Sequence, residues 1–173
     1  LETAPIPVLW LFGKTGSGKS SVIRYLTSLP EIEIGPGFRP QTLTSRQFDF
    51  PSPEQPVLRF LDTRGLGERS YDPAEDIRRF NDMAHVMIVT VRVMDHAVEE
   101  VVRSLGQFRR ARPHRPVLLA LTCLHEAYPG VQHPSPDPFN GGAPEGGVLE
   151  GLRRSIEQQT QRFAGLVDRT VPI

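Results

Sequence analysis

The chain has 173 residues, enough for one domain with a proper core, and its 38% apolar and 23% charged residues are ordinary for a globular protein. Twenty basic residues balance twenty acidic ones, so no overall field argues for nucleic acid or an anionic membrane as partner. The single cysteine, Cys123, excludes an intramolecular disulfide and fits a reducing, cytoplasmic setting, and no apolar run approaches the ~20 residues that span a bilayer.

The first element is Val8-Leu9-Trp10-Leu11-Phe12, a continuously apolar run of the kind that forms a buried parallel strand. It leads into Gly13-Lys14-Thr15-Gly16-Ser17-Gly18-Lys19-Ser20, which reads G-x-x-x-x-G-K-S, the phosphate-binding loop pattern. A helix is predicted over 20–29, with Val22, Ile23, Leu26 and Leu29 along it and Pro30 as its stop. Strand, Gly-rich loop and helix together are the context this motif requires. The glycines let the backbone N–H groups curl toward phosphate oxygens, and the helix N-terminus adds partial positive charge. Lys19 brings a full charge to the β- and γ-phosphates, Ser20 offers Mg²⁺ a hard oxygen, and Ser21 completes the expected phosphate-binding set.

Residues 31–40 are irregular, with Gly35, Pro36, Gly37 and Pro40 marking an exposed loop. Thr42 and Thr44 follow, and Phe48-Asp49-Phe50 alternates like a half-exposed strand. Residues 57–61 form a second apolar strand that ends on Asp62, and Asp62-Thr63-Arg64-Gly65 then matches D-x-x-G. A helix is predicted over 73–83, capped by Asp72, and a third buried strand over 86–91. Val98, Val101, Val102, Leu105 and Phe108 stripe a helix over 95–112. A fourth buried strand covers 117–122. Residues 127–147 form a long Pro- and Gly-rich loop without Arg or Lys, which argues against the basic lid of a small-molecule kinase. Helical spacing returns over 148–167, and 169–173 start another strand. The basic cluster Arg109, Arg110, Arg112, His114 and Arg115 is read as a solvated face that suits a helix C-terminus.

Short apolar strands alternating with amphipathic helices predict an α/β three-layer sandwich with a mainly parallel sheet. Ligands of such sheets bind at the carboxyl ends of the strands. Phe12, Asp62 and Thr122 all end strands, so three motifs are expected on one edge.

On these residues the sequence resembles the GTPase branch of the P-loop NTPases, in particular the Era/TrmE-like group. Residues 13–20 look like its phosphate loop, Asp62-Thr63-Arg64-Gly65 like its D-T-x-G switch, and Pro40-Gln41-Thr42 like the segment carrying a Mg²⁺-binding Thr. The resemblance implies a Ras-like architecture binding GTP or GDP with Mg²⁺. Ser20, Thr42 and Asp62 would hold the metal; Lys19, Thr42 and Gly65 would serve the γ-phosphate, with Thr44 competing for the role of Thr42. Leu66 stands where Ras-like proteins place a water-orienting Gln, so turnover is expected to be slow or assisted, with Glu68, Arg64 or a partner's group as candidates. The family's guanine-reading N-K-x-D is altered. Thr122 replaces Asn, Cys123 replaces Lys and His125 falls where Asp is usual, with Glu126 one step on. Thr122, Cys123, His125 and Glu126 are the base-site candidates, and ATP is not excluded. A nucleotide-binding module without hydrolysis and an ATPase remain alternative readings. Partners implied are the guanine nucleotide and a nucleotide-dependent protein partner or a second copy, with membrane association only through parts outside the chain. The chain starts at Leu1 rather than Met, and an Era-like fold calls for a further strand and closing helix after residue 167. Residues 1–173 are therefore expected to be one GTPase-like domain, a fragment of a longer protein.

Overall fold

The computed structural model describes residues 5–28, 46–63, 65–66, 80, 82–132, 134–135, 139 and 148–173. The apolar runs fold as the strands β1 (Val8–Gly13), β2 (Arg46–Phe50), β3 (Leu58–Asp62), β4 (Val86–Arg92), β5 (Val117–Thr122) and β6 (Arg169–Pro172). Among the described residues these six strands form one sheet in the order β2-β3-β1-β4-β5-β6. Every neighbouring pair is parallel except β2 with β3. The exception follows from the sequence: β2 alternates Phe48 and Phe50 with Gln47 and Asp49, the pattern of an edge strand with one wet face. The central strands β1, β4 and β5 are near-continuous apolar runs, with Thr90 and the strand-end residues as exceptions, because both of their faces are covered.

Three α-helices are described in full: α1 (Lys19–Thr27), α2 (Glu99–Ala111) and α3 (Glu150–Arg162). Ile23 of α1 packs with Leu11, Phe60, Ile88 and Ala120 on one face of the sheet. Leu105 and Phe108 of α2 and Leu152 of α3 pack with Trp10, Phe12, Met87, Val89 and Leu119 on the other. This is the expected three-layer α/β sandwich. Trp10 anchors the second face, fully buried, with its ring edge-on to Phe12 and Phe108 at centroid distances of 5.8 and 5.5 Å. Its indole N–H donates to Thr63 Oγ1 at 3.3 Å, and the Thr63 hydroxyl donates to Leu11 O at 3.0 Å, so the residue after Asp62 is locked onto β1. A buried side chain of this size contributes about 1.5–3 kcal/mol, and an indole N–H buried with it needs such a partner.

Several predicted ends move. The helix predicted over 20–29 begins at Lys19 and stops at Thr27, because Ser28 turns left-handed (φ 55°) and its N–H returns to Arg24 O. The helix predicted over 95–112 begins only at Glu99, since Asp95 uses its carboxylate to accept the Ala97 N–H instead of joining the first turn. The helix predicted over 148–167 spans Glu150–Arg162, and the chain reverses at Gly165 (φ 75°). The loop predicted from residue 127 is entered through two short 3-10 turns, Leu124–Ala127 and Pro129–Val131. Of the helix predicted over 73–83, Phe80 is helical and buried and Met83 lies in the turn after it; the remainder lies outside the described residues.

Candidate functional site: a phosphate loop at the carboxyl edge of the sheet

β1 delivers residues 13–20 to the carboxyl edge of the sheet, and α1 leaves from it. A Cβ added at Gly13 would lie 2.4 Å from Thr90 O and 2.8 Å from Ser17 Oγ, so the loop can turn this close to β4 only with glycine there. The Ser17 hydroxyl meets the Thr90 hydroxyl at 2.7 Å, pinning the far side of the loop to the same residue. Gly16 is exposed at the tip, and Gly18, at φ 90°, caps α1. The buried Lys19 ammonium donates to Gly13 O at 3.0 Å and to Lys14 O at 2.9 Å, so its charge is held inside the curl of the loop. Ser21 is exposed on the first turn of α1.

Asp62 ends β3, as its place after an apolar run predicted. Its carboxylate is 1% exposed and accepts the Ser20 hydroxyl at 2.7 Å. Two hard oxygen donors from β3 and α1 thus meet at the mouth of the phosphate loop, the ligand type that magnesium prefers. Thr42, the third expected metal ligand, lies outside the described residues, as do Thr44, Arg64 and Glu68.

Gly65 places the second motif against the first. A Cβ there would stand 2.4 Å from Thr15 N and 2.2 Å from Thr15 Oγ1. The contact is fixed by a short parallel bridge in which Leu66 N–H donates to Gly13 O at 3.1 Å and Thr15 N–H donates to Leu66 O at 3.2 Å. The Leu66 side chain is 1% exposed and belongs to the apolar core, so it offers nothing that could orient a water.

The third motif also reaches the loop. The buried Thr122 hydroxyl donates to Ser17 O at 2.9 Å, and a Cβ at Gly18 would touch the Thr122 methyl at 3.4 Å. Thr122, in the place of the family's Asn, thereby ties β5 to the phosphate loop. Cys123 follows in a left-handed conformation (φ 58°) and opens the 3-10 turn that carries His125 and Glu126. Burial pushes the Cys123 thiol above its ordinary pKa. The Glu126 carboxylate is paired with Arg92, the last residue of β4.

The sequence reading did not single out Thr90, Asp95 or Arg92. Asp95 accepts the Lys14 ammonium at 2.6 Å, and Lys14 also donates to Ala97 O at 3.1 Å. Burial works against the Asp95 charge, but the Lys14 ammonium and the Ala97 N–H outweigh it and hold its pKa below the usual carboxylate range. Gln159 of α3, fully buried, donates to Asp95 O at 2.6 Å, so α3 supports the loop that holds Lys14. One signal was available: Thr90 is the polar residue inside the apolar run 86–91. The basic cluster is largely consumed by structure. Arg109 donates to Leu166 O, Arg115 O and Asp168, Arg112 pairs with Asp82, and the Arg115 guanidinium lies 5.7 Å from the Phe108 ring centre.

A mainly parallel sheet, a phosphate loop after β1, and a D-x-x-G after β3 bonded to that loop define a P-loop GTPase domain. The chain belongs to the family described as 50S ribosome-binding GTPase, whose model matches residues 8–123. No curated protein matches the sequence. Among solved structures it is similar to Era in complex with MgGDPNP and part of 16S ribosomal RNA, at 16% identity and a TM-score of 0.66 over 97% of this chain and 50% of that one. It is similar to a dimerization-deficient variant of Toc33 from Arabidopsis thaliana at 19% identity and a TM-score of 0.59, over 98% of this chain and 70% of that one. Toc33 in complex with GDP and Mg²⁺ matches at 18% identity and a TM-score of 0.56, over 96% of this chain and 69% of that one. At these identities the likeness is one of fold, and the chain spans half the length of the Era chain.

Proposed function

We propose that the chain is a Mg²⁺-dependent GTP-binding switch domain of the Era/TrmE-like group that hydrolyses GTP slowly. The observation that carries this reading is the contact of Gly65 with Thr15. It puts the D-x-x-G backbone on the phosphate loop, where the Gly65 amide can sense a γ-phosphate because no side chain intervenes. In this reading Gly13, Lys14, Thr15, Gly16, Ser17, Gly18, Lys19, Ser20 and Ser21 cradle the phosphates, and Lys19 neutralises charge at the β- and γ-positions. The Ser20 and Asp62 oxygens fit a magnesium ion, with Thr42 as the third ligand; the ion would supply charge neutralisation at the phosphate oxygens. The buried Leu66 supports a low intrinsic rate, on the order of 10⁻⁴ to 10⁻² per second, since no side chain at that position positions the attacking water. A nucleotide-dependent protein partner or a second copy would supply what is missing, and the setting is cytoplasmic.

The test is titration of GTP and ATP analogues in parallel, with phosphate release followed on the wild type and on Lys19→Ala. The reading expects tighter binding of the guanine nucleotide, a Mg²⁺ requirement, and slow release that Lys19→Ala abolishes. Release no faster than in Lys19→Ala leaves a non-hydrolysing module; preference for ATP leaves an ATPase.

A further inference from the structure

Arg92 and Glu126 close the edge of the site beyond Thr122. Arg92 is the last residue of β4 and pairs in register with Thr122, the last of β5, whose hydroxyl holds the phosphate loop through Ser17 O. From that position the Arg92 guanidinium donates to Glu126 Oε1, on the 3-10 turn that follows Cys123. The pair is partly withdrawn from water, with the Arg92 and Glu126 side chains 38% and 25% exposed. Its charges act on their neighbours: Arg92 and Glu126 pull the Cys123 thiol in opposite directions, and Arg92 also favours the charged form of Asp95, which holds Lys14. Four charges of alternating sign, Lys14, Asp95, Arg92 and Glu126, therefore run along the rim from the phosphate loop to the base-site candidates.

We infer that Arg92 is the positioning residue for base selection, fixing the direction of the Glu126 carboxylate so that Glu126, and not His125, reads the purine edge. The inference rests on the GTP-binding reading above. The chemistry follows from the donor and acceptor inventory. A carboxylate is acceptor-only, and with Oε1 engaged by Arg92 it keeps Oε2 for a ligand N–H. Guanine presents N–H groups at N1 and N2, which such an oxygen accepts. Adenine presents one N–H group at N6 beside a lone pair at N1, which the carboxylate repels, so it gains less than guanine with its two adjacent donors. A neutral imidazole at residue 125 has one acceptor nitrogen and an N–H besides, so it discriminates poorly between the two edges. Arg92 supplies what a partly buried carboxylate at a ligand edge needs: a partner that fixes its direction through a charge-assisted hydrogen bond.

The experiment measures the affinities of labelled GDP and ADP, and of tripolyphosphate with Mg²⁺, for the wild type, Arg92→Ala, Arg92→Lys, Glu126→Ala and the Arg92→Ala/Glu126→Ala double variant. The expected result is a loss of GDP affinity of about tenfold in each alanine variant, as for one charge-assisted hydrogen bond, with the GDP-to-ADP ratio falling by the same factor. Arg92→Lys restores part of the ratio, the double variant is no worse than the singles, and tripolyphosphate binding stays within about twofold throughout. A merely structural Arg92 would lower GDP, ADP and tripolyphosphate together, and that outcome overturns the inference. So does an unchanged GDP-to-ADP ratio in Arg92→Ala while the wild type still prefers GDP. A wild type that binds no nucleotide, or prefers ADP, overturns the GTP-binding reading itself and the inference with it.

Discussion

Gly65→Ala tests the contact between the two motifs with the least chemical change. The added Cβ would meet Thr15 Oγ1 at 2.2 Å, Thr15 N at 2.4 Å and Thr15 Cα at 2.5 Å. Carbon contacts settle near 3.5–4.0 Å, so the segment must retreat by roughly 1 Å. The two bridging hydrogen bonds start at 3.1 and 3.2 Å, and that retreat carries both past the range in which they count. Each is worth about 1 kcal/mol, and forced accommodation of an extra methyl costs about 1–3 kcal/mol. The local arrangement should therefore lose about 3–5 kcal/mol, a shift of roughly 150- to 5000-fold in its population. Hydrogen exchange at the Leu66 amide is the assay, since that N–H is bonded to Gly13 O in the wild type. Gly106→Ala on α2, where a Cβ would meet nothing within 4 Å, is the control and should stabilise by about 0.5–1 kcal/mol. If Leu66 in Gly65→Ala exchanges as slowly as in the wild type, the packing argument is wrong. If it exchanges faster and GTP-analogue and GDP affinities nevertheless keep their ratio, the bridge is structural and Gly65 does not sense the γ-phosphate.

Two further predictions follow from single contacts. Thr122→Val keeps the shape but removes the hydroxyl that donates to Ser17 O, leaving a buried carbonyl short of a partner at a cost of about 1–3 kcal/mol; urea unfolding should show it, and a midpoint equal to that of the wild type would count against the tie between β5 and the loop. Asp168 is held below the usual carboxylate pKa by the Val117 N–H and then by Arg109, so it binds its proton less readily folded than unfolded. Its stabilisation is present above the unfolded value of about 3.9 and is lost as pH falls through the lower folded value. Asp168→Asn should thus be less stable than the wild type at pH 7, with the gap in urea midpoints narrowing as pH falls below the unfolded value of about 3.9; a gap that does not narrow on acidification would refute the linkage.

The phosphate loop and Asp62 were legible because each is a fixed residue type at a fixed place after an apolar run. Such signals are local, and the strand that carries them is local too. Thr90 and Asp95 were not legible for the opposite reason. Thr90 meets Ser17 across 73 residues of sequence, and Asp95 meets Lys14 across 81. Their own surroundings do not say what they touch: Thr90 stands out only as the polar residue of an apolar run, where a Thr is an ordinary strand former, and an Asp ahead of a valine stripe reads as the start of a helix. The same limit explains the helix ends. Ser28 and Gly165 stop α1 and the α3 segment by backbone conformations that helical spacing does not encode. The base-end motif is intermediate. Its departure from N-K-x-D could be read directly, but the pairing of Glu126 with Arg92 appears only when β4 and β5 lie side by side.

Two donors of the phosphate loop, the Lys19 ammonium and the Thr15 N–H, are already bonded within the protein, and this decides how binding would couple to the D-x-x-G segment. Lys19 holds Gly13 O and Lys14 O, and Thr15 N–H holds Leu66 O. A phosphate oxygen that takes the Lys19 ammonium exchanges neutral acceptors for a charged one, which favours the ligand. A phosphate oxygen that takes the Thr15 N–H gains less, because a backbone bond is lost for a backbone bond made, yet it opens one half of the bridge to Leu66. Phosphates that draw on Lys19 alone would bind without disturbing residues 65–66. A group that also reaches Thr15 or Gly65 would have to move them. A ligand shifts a two-state segment only by its difference in affinity for the two states. For a segment that switches here, that difference would reside in the two backbone bonds between residues 13–15 and Leu66, about 2 kcal/mol in all. That is enough to shift the segment about thirtyfold between ligands differing by one phosphate, and small enough for a docking partner to reverse.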